Sequence, residues 1–296
     1  MSQDEAIIKG ALDYVLAHSF ENYRDYQSYF IRIRPKELVS KHGHYKRRER
    51  LIEVFNLSRE PRFTMLTCLH ELAHHIEYED LGESEHTSSF YERYFALLIV
   101  AIGLGYLERS DIKEEYDSGD YGQLVAYYGE VETWEIPVFP HLEKRMVVVK
   151  NSYEIRGILK KRNFKFFTMS QTWQKEFPDL ETAEAEKNEL LKVGKVEDIY
   201  IQYVNQVNFL IYYYIGVLNG YEYRYGLKEL GYVWEGYGLK DVWVKKVDAT
   251  AFYEETHKLT QFAGIEFKKM TPNLTKPTPK KKAKKQEKKQ IIQYYF

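Results

Sequence analysis

The sequence that decides the fold is Cys68-Leu69-His70-Glu71-Leu72-Ala73-His74-His75, which contains the pattern His-Glu-x-x-His within an apolar run. Residues four positions apart lie on the same face of a helix, so His70 and His74 can direct two imidazoles at one ion. Glu71 stands beside them, within reach of a water molecule on that ion. Apolar residues in the run 63–76 have helical spacing, and Pro61 suits a first turn. The stretch therefore predicts a helix with two metal ligands and a general base.

Zinc fits this donor set, because it accepts neutral imidazole, prefers four ligands and keeps one position for water in catalytic sites. Zinc lowers the pKa of that water to about 7, and a neighbouring carboxylate can take the proton and deliver it to a leaving amine. This chemistry is typical of a zinc peptidase. The alternative is a buried helix whose histidines only form hydrogen bonds, which buries three polar side chains at a cost in free energy.

A third protein ligand is needed, and we predict that it is His86, which precedes a second helical run starting at residue 88. The segment 81–85 has the composition of a turn that returns the chain over the first helix. Carboxylates also bind zinc, so Glu83, Glu85 and Glu92 remain alternatives. We expect His75 to lie on the helix flank without a ligand role, and Cys68 to be a buried packing residue. Three tyrosines are close enough in sequence to stabilise an oxyanion: Tyr78, Tyr91 and Tyr94.

The arrangement resembles the SprT-like zinc metallopeptidases, one group of which digests proteins crosslinked to DNA. The resemblance rests on the apolar helix with its His-Glu-x-x-His pattern, the short acidic loop after it, and His86 with Phe90 four residues later. Upstream, residues 30–34 and 51–57 have the β-branched and apolar content of strands, as in the family's small sheet. The likeness covers roughly residues 1–110 and is strong only across about 64–95.

The resemblance implies a zincin-like domain in which His70, His74 and His86 bind Zn2+ and Glu71 is the general base. Many relatives also have a C-terminal zinc ribbon built from cysteine pairs. This chain has one cysteine, so that ribbon cannot form here. One cysteine also excludes a disulfide framework and suits a reducing compartment. The longest apolar run, residues 95–104, is too short to span a bilayer, so we expect a cytoplasmic protein, or a nuclear one in a eukaryote.

Charge is unevenly distributed, although the net charge is only −1. Residues 1–141 contain 15 Lys/Arg and 25 Asp/Glu, and a domain of this charge repels phosphate. The exception is the basic segment 41–50, which is either a solvated hairpin tip or a nucleic-acid contact. His42 and His44 in this segment could chelate a metal, but we favour a surface loop. The catalytic domain is therefore a poor DNA-binding surface by itself.

An internal repeat follows the segment 134–140, which we interpret as a linker. The two copies are residues 153–175 and 221–245, and both have Tyr, Arg, Leu and aromatic residues at the same spacing. Strand-like runs, 146–149 and 209–214, precede the copies. Helix-like runs, 182–191 and 249–259, follow them, and strands near 199–201 and 264–267 close them. This pattern predicts two β-α-β-β-α modules, here called module 1 and module 2.

The modules weakly resemble small tryptophan-containing modules that accompany DNA-processing enzymes, which is an analogy of fold. Trp173 and Trp243 could stack on bases, while four cations hold phosphates: Arg156, Arg224, Lys175 and Lys245. The alternative, which we favour, is that each tryptophan is the core of a small domain. The near-zero charge of the modules also suits a protein partner.

Residues 271–296 contain eight lysines and one acidic residue, a composition that predicts a disordered tail attracting phosphate. The chain ends in an apolar peptide whose Ile292, Tyr295 and Phe296 resemble the peptides that dock on sliding clamps. A lysine stands where the usual leading glutamine would be, so the match is incomplete. Docking of this peptide on another partner, or on the protein itself, is the alternative.

The sequence therefore predicts an α+β fold with a SprT-type peptidase domain at 1–140, with a metal helix packed on a small sheet. Repeat modules at 141–205 and 206–270 and a disordered basic tail at 271–296 complete the chain. The function predicted is zinc-dependent hydrolysis of peptide bonds in proteins, including proteins attached to DNA. The alternative is a non-catalytic zinc-containing adaptor that recruits DNA or a replication or repair partner through its modules and tail.

Overall fold

The structure is a computed structural model that describes residues 3–38, 41–114, 119–140, 143–168, 170–193, 198–206 and 211–271. Contacts between Cα atoms divide the chain into two compact units. One unit comprises Met1–Tyr212 with Asp248–Tyr253, and the other comprises Tyr213–Val247 with Glu254–Phe296. The architecture is mixed α+β with helices and small sheets, as the sequence predicts in outline. Every helix in the described ranges is too short or too polar to cross a bilayer.

The N-terminal part begins with α1 (Gln3–Ser19) and contains a three-stranded sheet followed by helices. The strands are β1 (Phe30–Ile33), β2 (Gly43–Lys46) and β3 (Leu51–Val54), and the helices are α2 (Pro61–Leu81), α3 (Ser88–Gly103), α4 (Arg109–Glu114) and α5 (Asp120–Tyr128). The strand order is β1-β3-β2; β1 pairs parallel and β2 antiparallel with β3. The apolar runs predicted as strands contain β1 and β3, and β3 contacts helix α2, which carries His70, Glu71 and His74.

Strand β2 lies in the basic segment 41–50, which we predicted to be a solvated hairpin tip or a nucleic-acid contact. The segment forms β2 and the short 3-10 helix Arg47–Glu49, and it turns directly into β3. It is therefore a hairpin, but Tyr45 on its inner face is buried and β2 contacts α2. In β2, polar and charged side chains alternate with Gly43 and Tyr45. The strand therefore contains no apolar run that would identify it in the sequence.

The segment 134–140 is packed on the N-terminal part and is not a free linker. Trp134 is buried, its indole N–H donates to the carbonyl of Gly129 at 2.9 Å, and Arg109 donates to its backbone carbonyl at 2.7 Å. The ring of Phe139 meets His18 of α1 edge-on at 5.3 Å between centroids. The aromatic residues of this segment therefore extend the core of the N-terminal part.

Module 1 is a four-stranded antiparallel sheet with two helices. Its elements are β4 (Arg145–Val149), α6 (Arg156–Lys161), β5 (Lys165–Phe167), β6 (Thr172–Phe177), α7 (Leu180–Leu191) and β7 (Ile199–Tyr203), with strand order β5-β6-β4-β7. The amide of Asn205 donates to the carbonyl of Leu104 at 3.0 Å, and Gly105 lies against Tyr203. These contacts explain why module 1 belongs to the same compact unit as the N-terminal part.

Module 2 has the elements β8 (Tyr212–Leu218), α8 (Arg224–Glu229), β9 (Val233–Trp234), β10 (Trp243–Asp248), α9 (Phe252–Leu259) and β11 (Glu266–Met270). Its strand order, β9-β10-β8-β11, is the order of module 1. The two tryptophans proposed as possible base-stacking residues are buried: Trp173 is 9% exposed and Trp243 is 4% exposed. This burial favours the core interpretation, because a buried indole has no face to offer a base.

The four cations proposed to hold phosphates beside those tryptophans have two kinds of partner. Lys175 lies 3.9 Å from Glu186 of α7, and Lys245 lies 2.8 Å from Glu255 of α9, so each lysine pairs with a helix of its own module. Arg156 and Arg224 lie instead over tyrosine rings. Residues 272–296, including the lysine tract and the terminal Ile292, Tyr295 and Phe296, lie outside the described residues.

Glu53 in the central strand β3 gives a prediction about stability and pH. Its side chain is buried and contacts Arg34 at 2.6 Å and Lys46 at 3.1 Å. Burial alone would raise the pKa of Glu53, but the two cations outweigh it and lower the pKa below its ordinary value. A carboxylate with a lowered folded-state pKa stabilises the fold above its unfolded-state pKa, and this contribution disappears as the pH falls through the folded-state value.

We therefore expect Glu53→Gln to lower the free energy of unfolding at pH 7 by about 1 kcal/mol, since both cations are partly exposed. The difference from wild type should shrink below about pH 4.5, where the unfolded-state carboxyl becomes protonated. Urea unfolding at several pH values measures this, with exposed Glu49→Gln as the control. A difference that is independent of pH would contradict the assigned ion pairs.

Candidate metal centre

Helix α2 positions the first three predicted site residues. Pro61 lies in its first turn, where a missing N–H costs no hydrogen bond. The helix ends at Gly82, whose φ of +77° is readily adopted by glycine. Between these ends, His70 and His74 are one turn apart, with their ring centroids 4.8 Å apart. The local sequence thus builds a helix with two imidazoles on one face.

His86 comes from the loop between α2 and α3 and completes a group of three histidines. Its ring centroid lies 5.0 Å from that of His70 and 4.8 Å from that of His74. One ligand atom of each ring lies within 4.8 Å of the others, and the Nε2 atoms of His70 and His86 are 3.1 Å apart. Within the described part of the chain, this group contains no carboxylate, so Glu83, Glu85 and Glu92 are not its members.

The environment favours the neutral form of His74 and His86, which is the form that binds a metal. Burial, followed by repulsion from His70 and His86, lowers the pKa of His74 to about 3. Burial and His70 also lower the pKa of His86. Three imidazoles converging within this distance fit a zinc ion and leave a fourth position for water. The donor set is therefore suitable for zinc.

Phe90 of α3 forms the apolar base of the histidine group. Its side chain is fully buried, and its ring centroid lies 4.3 Å from His74, 4.9 Å from His70 and 4.8 Å from His86. One aromatic ring thus contacts all three imidazoles and restricts their rotation. The spacing from His86 to Phe90, part of the sequence resemblance, has a packing reason here.

Asp120 at the start of α5 orients His70. Its Oδ2 atom lies 2.9 Å from Nδ1 of His70, and its Oδ1 atom accepts a hydrogen bond of 3.0 Å from the hydroxyl of Tyr91. Burial would raise the pKa of Asp120, but the hydrogen bonds from His70 and Tyr91 outweigh it and lower that pKa. An ionised Asp120 holds the proton of His70 on Nδ1, which leaves the Nε2 lone pair directed towards His86.

Glu77 orients His74 through a serine. The hydroxyl of Ser84 donates to Glu77 at 2.7 Å, so it accepts from Nδ1 of His74, also at 2.7 Å. Glu77 also accepts from the backbone N–H of Glu85 at 3.1 Å and from the hydroxyl of Thr87 at 3.2 Å. The same carboxylate therefore orients one histidine and anchors the loop that carries His86.

Glu71 is buried beside strand β2. Burial, the main cause, raises its pKa to about 7, although a hydrogen bond from the backbone N–H of Tyr45 opposes the rise. The absence of a side chain at Gly43 lets strand β2 lie this close to Glu71. A Cβ atom at this position would lie 2.6 Å from Oε1 of Glu71 and 2.6 Å from Cγ2 of Thr67. A carboxyl group with this pKa can accept and release a proton near neutral pH.

His75 and Cys68 have the structural roles that the sequence predicts. The Nε2 atom of His75 lies 2.9 Å from the carbonyl of Tyr26, so it carries the proton, and Nδ1 accepts from the hydroxyl of Tyr45 at 2.8 Å. Burial lowers the pKa of His75 and keeps the ring neutral. Cys68 is fully buried, and burial raises the pKa of its thiol, so it packs as a small apolar residue.

The histidine group opens into a cleft of about 1370 Å3. One wall is the segment 41–49, and another is the start of α5 with Tyr91 and Tyr94 of α3. Of the three tyrosines proposed to stabilise an oxyanion, Tyr91 and Tyr94 therefore lie at the cleft, whereas Tyr78 packs against the ring of Tyr45.

His42 and His44 line the cleft without joining the metal group. His42 contacts the amide of Asn56 at 2.7 Å, and His44 is part of β2. Our expectation of a surface loop is therefore wrong for His44, which is an exposed residue of a strand paired with β3, whereas His42 lies in the bend just before that strand.

Sequence reasoning missed the residues that orient the ligands. Asp120 is separated from His70 by 50 positions and has no characteristic spacing from it. Ser84 and Glu77 are closer in sequence, but a serine in an acidic turn is too common to indicate a role. An acidic residue buried on the metal helix is the one signal that could have identified Glu77, since such burial requires a partner.

Comparisons of the chain with protein-family models, with curated proteins and with solved structures found no match.

The oriented histidines give a prediction about metal affinity. We expect the purified protein to bind one zinc ion per chain, and Asp120→Asn to raise the zinc dissociation constant about 10–100-fold, because His70 loses the group that holds its tautomer. Competition with a chromophoric chelator measures this constant. Asp25→Asn, at an exposed position of the 3-10 helix Tyr23–Tyr26, is the matched control. An Asp120→Asn protein that binds zinc as tightly as wild type would show that His70 does not depend on this carboxylate.

The approach of β2 to α2 gives a prediction about packing. We expect Gly43→Ala to lower the free energy of unfolding by about 1–3 kcal/mol, because the added methyl group overlaps Glu71 and Thr67. Gly157→Ala is the control, since a Cβ atom there meets nothing within 4 Å. Urea unfolding compares the two variants. Equal stability of Gly43→Ala and wild type would contradict the close contact between β2 and Glu71.

Proposed function

We propose that this protein is a zinc-dependent metallopeptidase that hydrolyses peptide bonds in protein substrates. The observation that carries the proposal is that three converging imidazoles and a buried carboxyl group, Glu71, lie at one cleft, with His70, Glu71 and His74 on the same helix. The resemblance of the motif to the SprT-like family supports the same activity. A structural zinc site would be closed by a fourth protein ligand, whereas the described group has three.

His70, His74 and His86 would hold the ion. A zinc ion bound there supplies a Lewis acid that activates water and polarises a carbonyl group. Asp120 and the Ser84–Glu77 pair contact Nδ1 of two of the imidazoles, which would leave their Nε2 atoms free to bind a metal. The protein therefore provides a donor set that is already oriented before the metal binds.

Glu71 is the residue that moves the proton. Its pKa of about 7 means that it can take a proton from water and deliver it to the leaving amine at neutral pH. The backbone of β2 holds the carboxylate in place through the N–H of Tyr45, and Gly43 provides the room. The acid–base step thus depends on contact between the metal helix and the edge of the sheet.

The shape of the cleft suits an extended polypeptide. Strand β2 is at the end of the strand order β1-β3-β2, and its residues line the cleft. An extended peptide can add to the edge of a sheet through main-chain hydrogen bonds, which do not depend on the side chains of the substrate. We therefore propose protein segments in extended conformation as the substrate class, including segments of proteins attached to DNA.

Glu71→Gln tests the mechanism. The amide keeps the size of the side chain and leaves the histidines intact, so zinc should remain at one per chain. Cleavage of a disordered protein such as casein should fall about 10²–10⁴-fold, because glutamine cannot accept the proton. Glu83→Gln, in the exposed loop after α2, is the control and should cleave like wild type.

Undiminished cleavage by Glu71→Gln would refute the role of Glu71. Retained zinc without cleavage by the wild-type protein, with free and DNA-bound protein substrates alike, would favour the alternative of a zinc-containing adaptor.

A further inference from the structure

The cleft has one positively charged wall in an otherwise acidic part of the chain. Residues 1–141 contain 15 Lys/Arg and 25 Asp/Glu, yet the segment 41–50 contains five of these cations and a single acidic residue, Glu49. The acidic residues that line the cleft are Glu49, Glu71 and Asp120, and the last two belong to the metal centre. Four cations of the segment also line it: Lys41, Lys46, Arg47 and Arg48. The cleft therefore has positive charge that the metal centre does not use.

Two of these four cations stabilise the fold. Lys46 lies 3.1 Å from Glu53 of β3, so it belongs to the ion pairs of the sheet. Arg47 donates to the backbone carbonyl of Ser84, in the loop that carries His86. Lys41 and Arg48 are exposed, and neither forms an ion pair within the described part of the chain. Lys41 and Arg48 are therefore the cations of this wall that a bound molecule can reach.

Strand β2 separates these two cations. Lys41 precedes the strand by two residues, and the amide of Asn56 donates to its backbone carbonyl at 3.1 Å. Arg48 follows the strand and lies in the 3-10 helix Arg47–Glu49. A strand rises about 3.3 Å per residue, so the two ends of this segment are up to about 20 Å apart. An extended peptide of about six residues spans the same length.

Each end of the segment lies near a different residue of the metal helix. Burial is the main cause that raises the pKa of Glu71, and the charge of Lys41 opposes the rise. Burial is also the main cause that lowers the pKa of His74, and the charge of Arg47 lowers it further. Electrostatic effects weaken with distance, so the Lys41 end is close to Glu71 and the Arg47 end is close to His74. A peptide bound beside β2 therefore has a cation on each side of the metal centre.

We propose that the substrates are protein segments with acidic side chains on both sides of the scissile bond, and that Lys41 and Arg48 bind these side chains. The inference rests on the proposed peptidase function and names its substrate class. Main-chain hydrogen bonds to β2 hold an extended peptide without regard to its sequence, whereas the two cations select its flanking residues. Basic flanking residues meet like charge at both ends of the cleft, so such segments bind more weakly.

A peptide fits this wall better than a nucleic acid does. A nucleic acid brings one negative charge with every nucleotide, and the acidic surroundings of the cleft repel such a run of phosphates. A peptide can place its acidic side chains only where the two cations lie. The acidic character of residues 1–141 thus favours a ligand with few, separated negative charges.

Inhibition of casein cleavage by three peptide pools tests this preference in the full-length, zinc-loaded protein. Each peptide has about six randomised uncharged residues, flanked on both sides by Glu, Gln or Lys. With casein well below its KM, the inhibition constant of a pool reports its binding to the cleft, whether or not the peptides are cleaved. The charge-reversal variant is Lys41→Glu with Arg48→Glu. The control, Arg24→Glu with Lys36→Glu, makes the same change in net charge at exposed residues outside the cleft lining.

We expect the wild-type protein to bind the Glu pool about tenfold more tightly than the Lys pool, with the Gln pool between them. The charge-reversal variant should bind the Lys pool more tightly than the Glu pool, and the control should keep the wild-type order. Raising the salt to about 0.5 M NaCl should reduce the wild-type ratio to less than about twofold, because both cations are exposed. Pools with Glu on one flank only should respond to Lys41→Glu on one side and to Arg48→Glu on the other.

Three results would overturn the substrate class and leave the peptidase proposal intact, provided that casein is cleaved. The first is equal inhibition, or no inhibition, by the three pools. The second is an unchanged order of the pools in the charge-reversal variant. The third is inhibition by oligothymidine as strong as inhibition by the Glu pool, which would make the wall a general site for polyanions. If zinc-loaded wild-type protein cleaves neither casein nor the peptides, the peptidase proposal fails and this inference fails with it.

Discussion

The fold of the N-terminal part depends on satisfying the polar side chains that helix α2 buries. Glu71, His75 and Glu77 are each less than 10% exposed, and an isolated polar group in such a place costs several kcal/mol. Each has a partner on a different neighbouring segment: the backbone of β2 for Glu71, Tyr26 and Tyr45 for His75, and the loop at 84–87 for Glu77. Hydrogen bonds from α2 thus determine where the sheet edge and the loop lie.

The candidate metal centre follows from the same hydrogen bonds. Glu77 holds the loop, and the loop delivers both Ser84 to His74 and His86 to the group. Asp120, at the start of α5 on another wall of the cleft, orients His70. Each of these carboxylates therefore orients an imidazole, Asp120 directly and Glu77 through Ser84, which is how the histidines of a metal site are held.

Comparison of the two modules distinguishes the residues that stabilise their common fold from the residues that give each module its own surface. Both use a buried tryptophan on the second strand of the β-β pair and an exposed aromatic residue facing it on the edge strand. Both also pair a lysine on that second strand with a glutamate on the following helix. These shared features stabilise the sheet. Residues outside this frame, such as Lys161 and Glu229, differ in charge and give each module its own surface.

Several elements could be predicted because their signals are local. The His-Glu-x-x-His spacing predicts two imidazoles on one helical face, and the apolar content of 30–34 and 51–57 predicts strands, because helix and strand geometry relate neighbouring residues directly. The return of His86 could be predicted from a short turn between two helical runs. In the modules, apolar runs and large aromatics predict the strands and the buried tryptophans, since each small sheet needs a core.

The sequence by itself therefore determined helix α2, the convergence of His86 on its two histidines, and the succession of strands and helices within the two modules. Only the tertiary structure decided that β2 forms one wall of the cleft and that Asp120 orients His70. It also decided that the missing side chain at Gly43 leaves room for Glu71. The physical reason is that these contacts join residues separated by tens of positions, at distances set by how whole elements pack. Local spacing determines which face of an element a side chain occupies, and packing determines which partner that face meets.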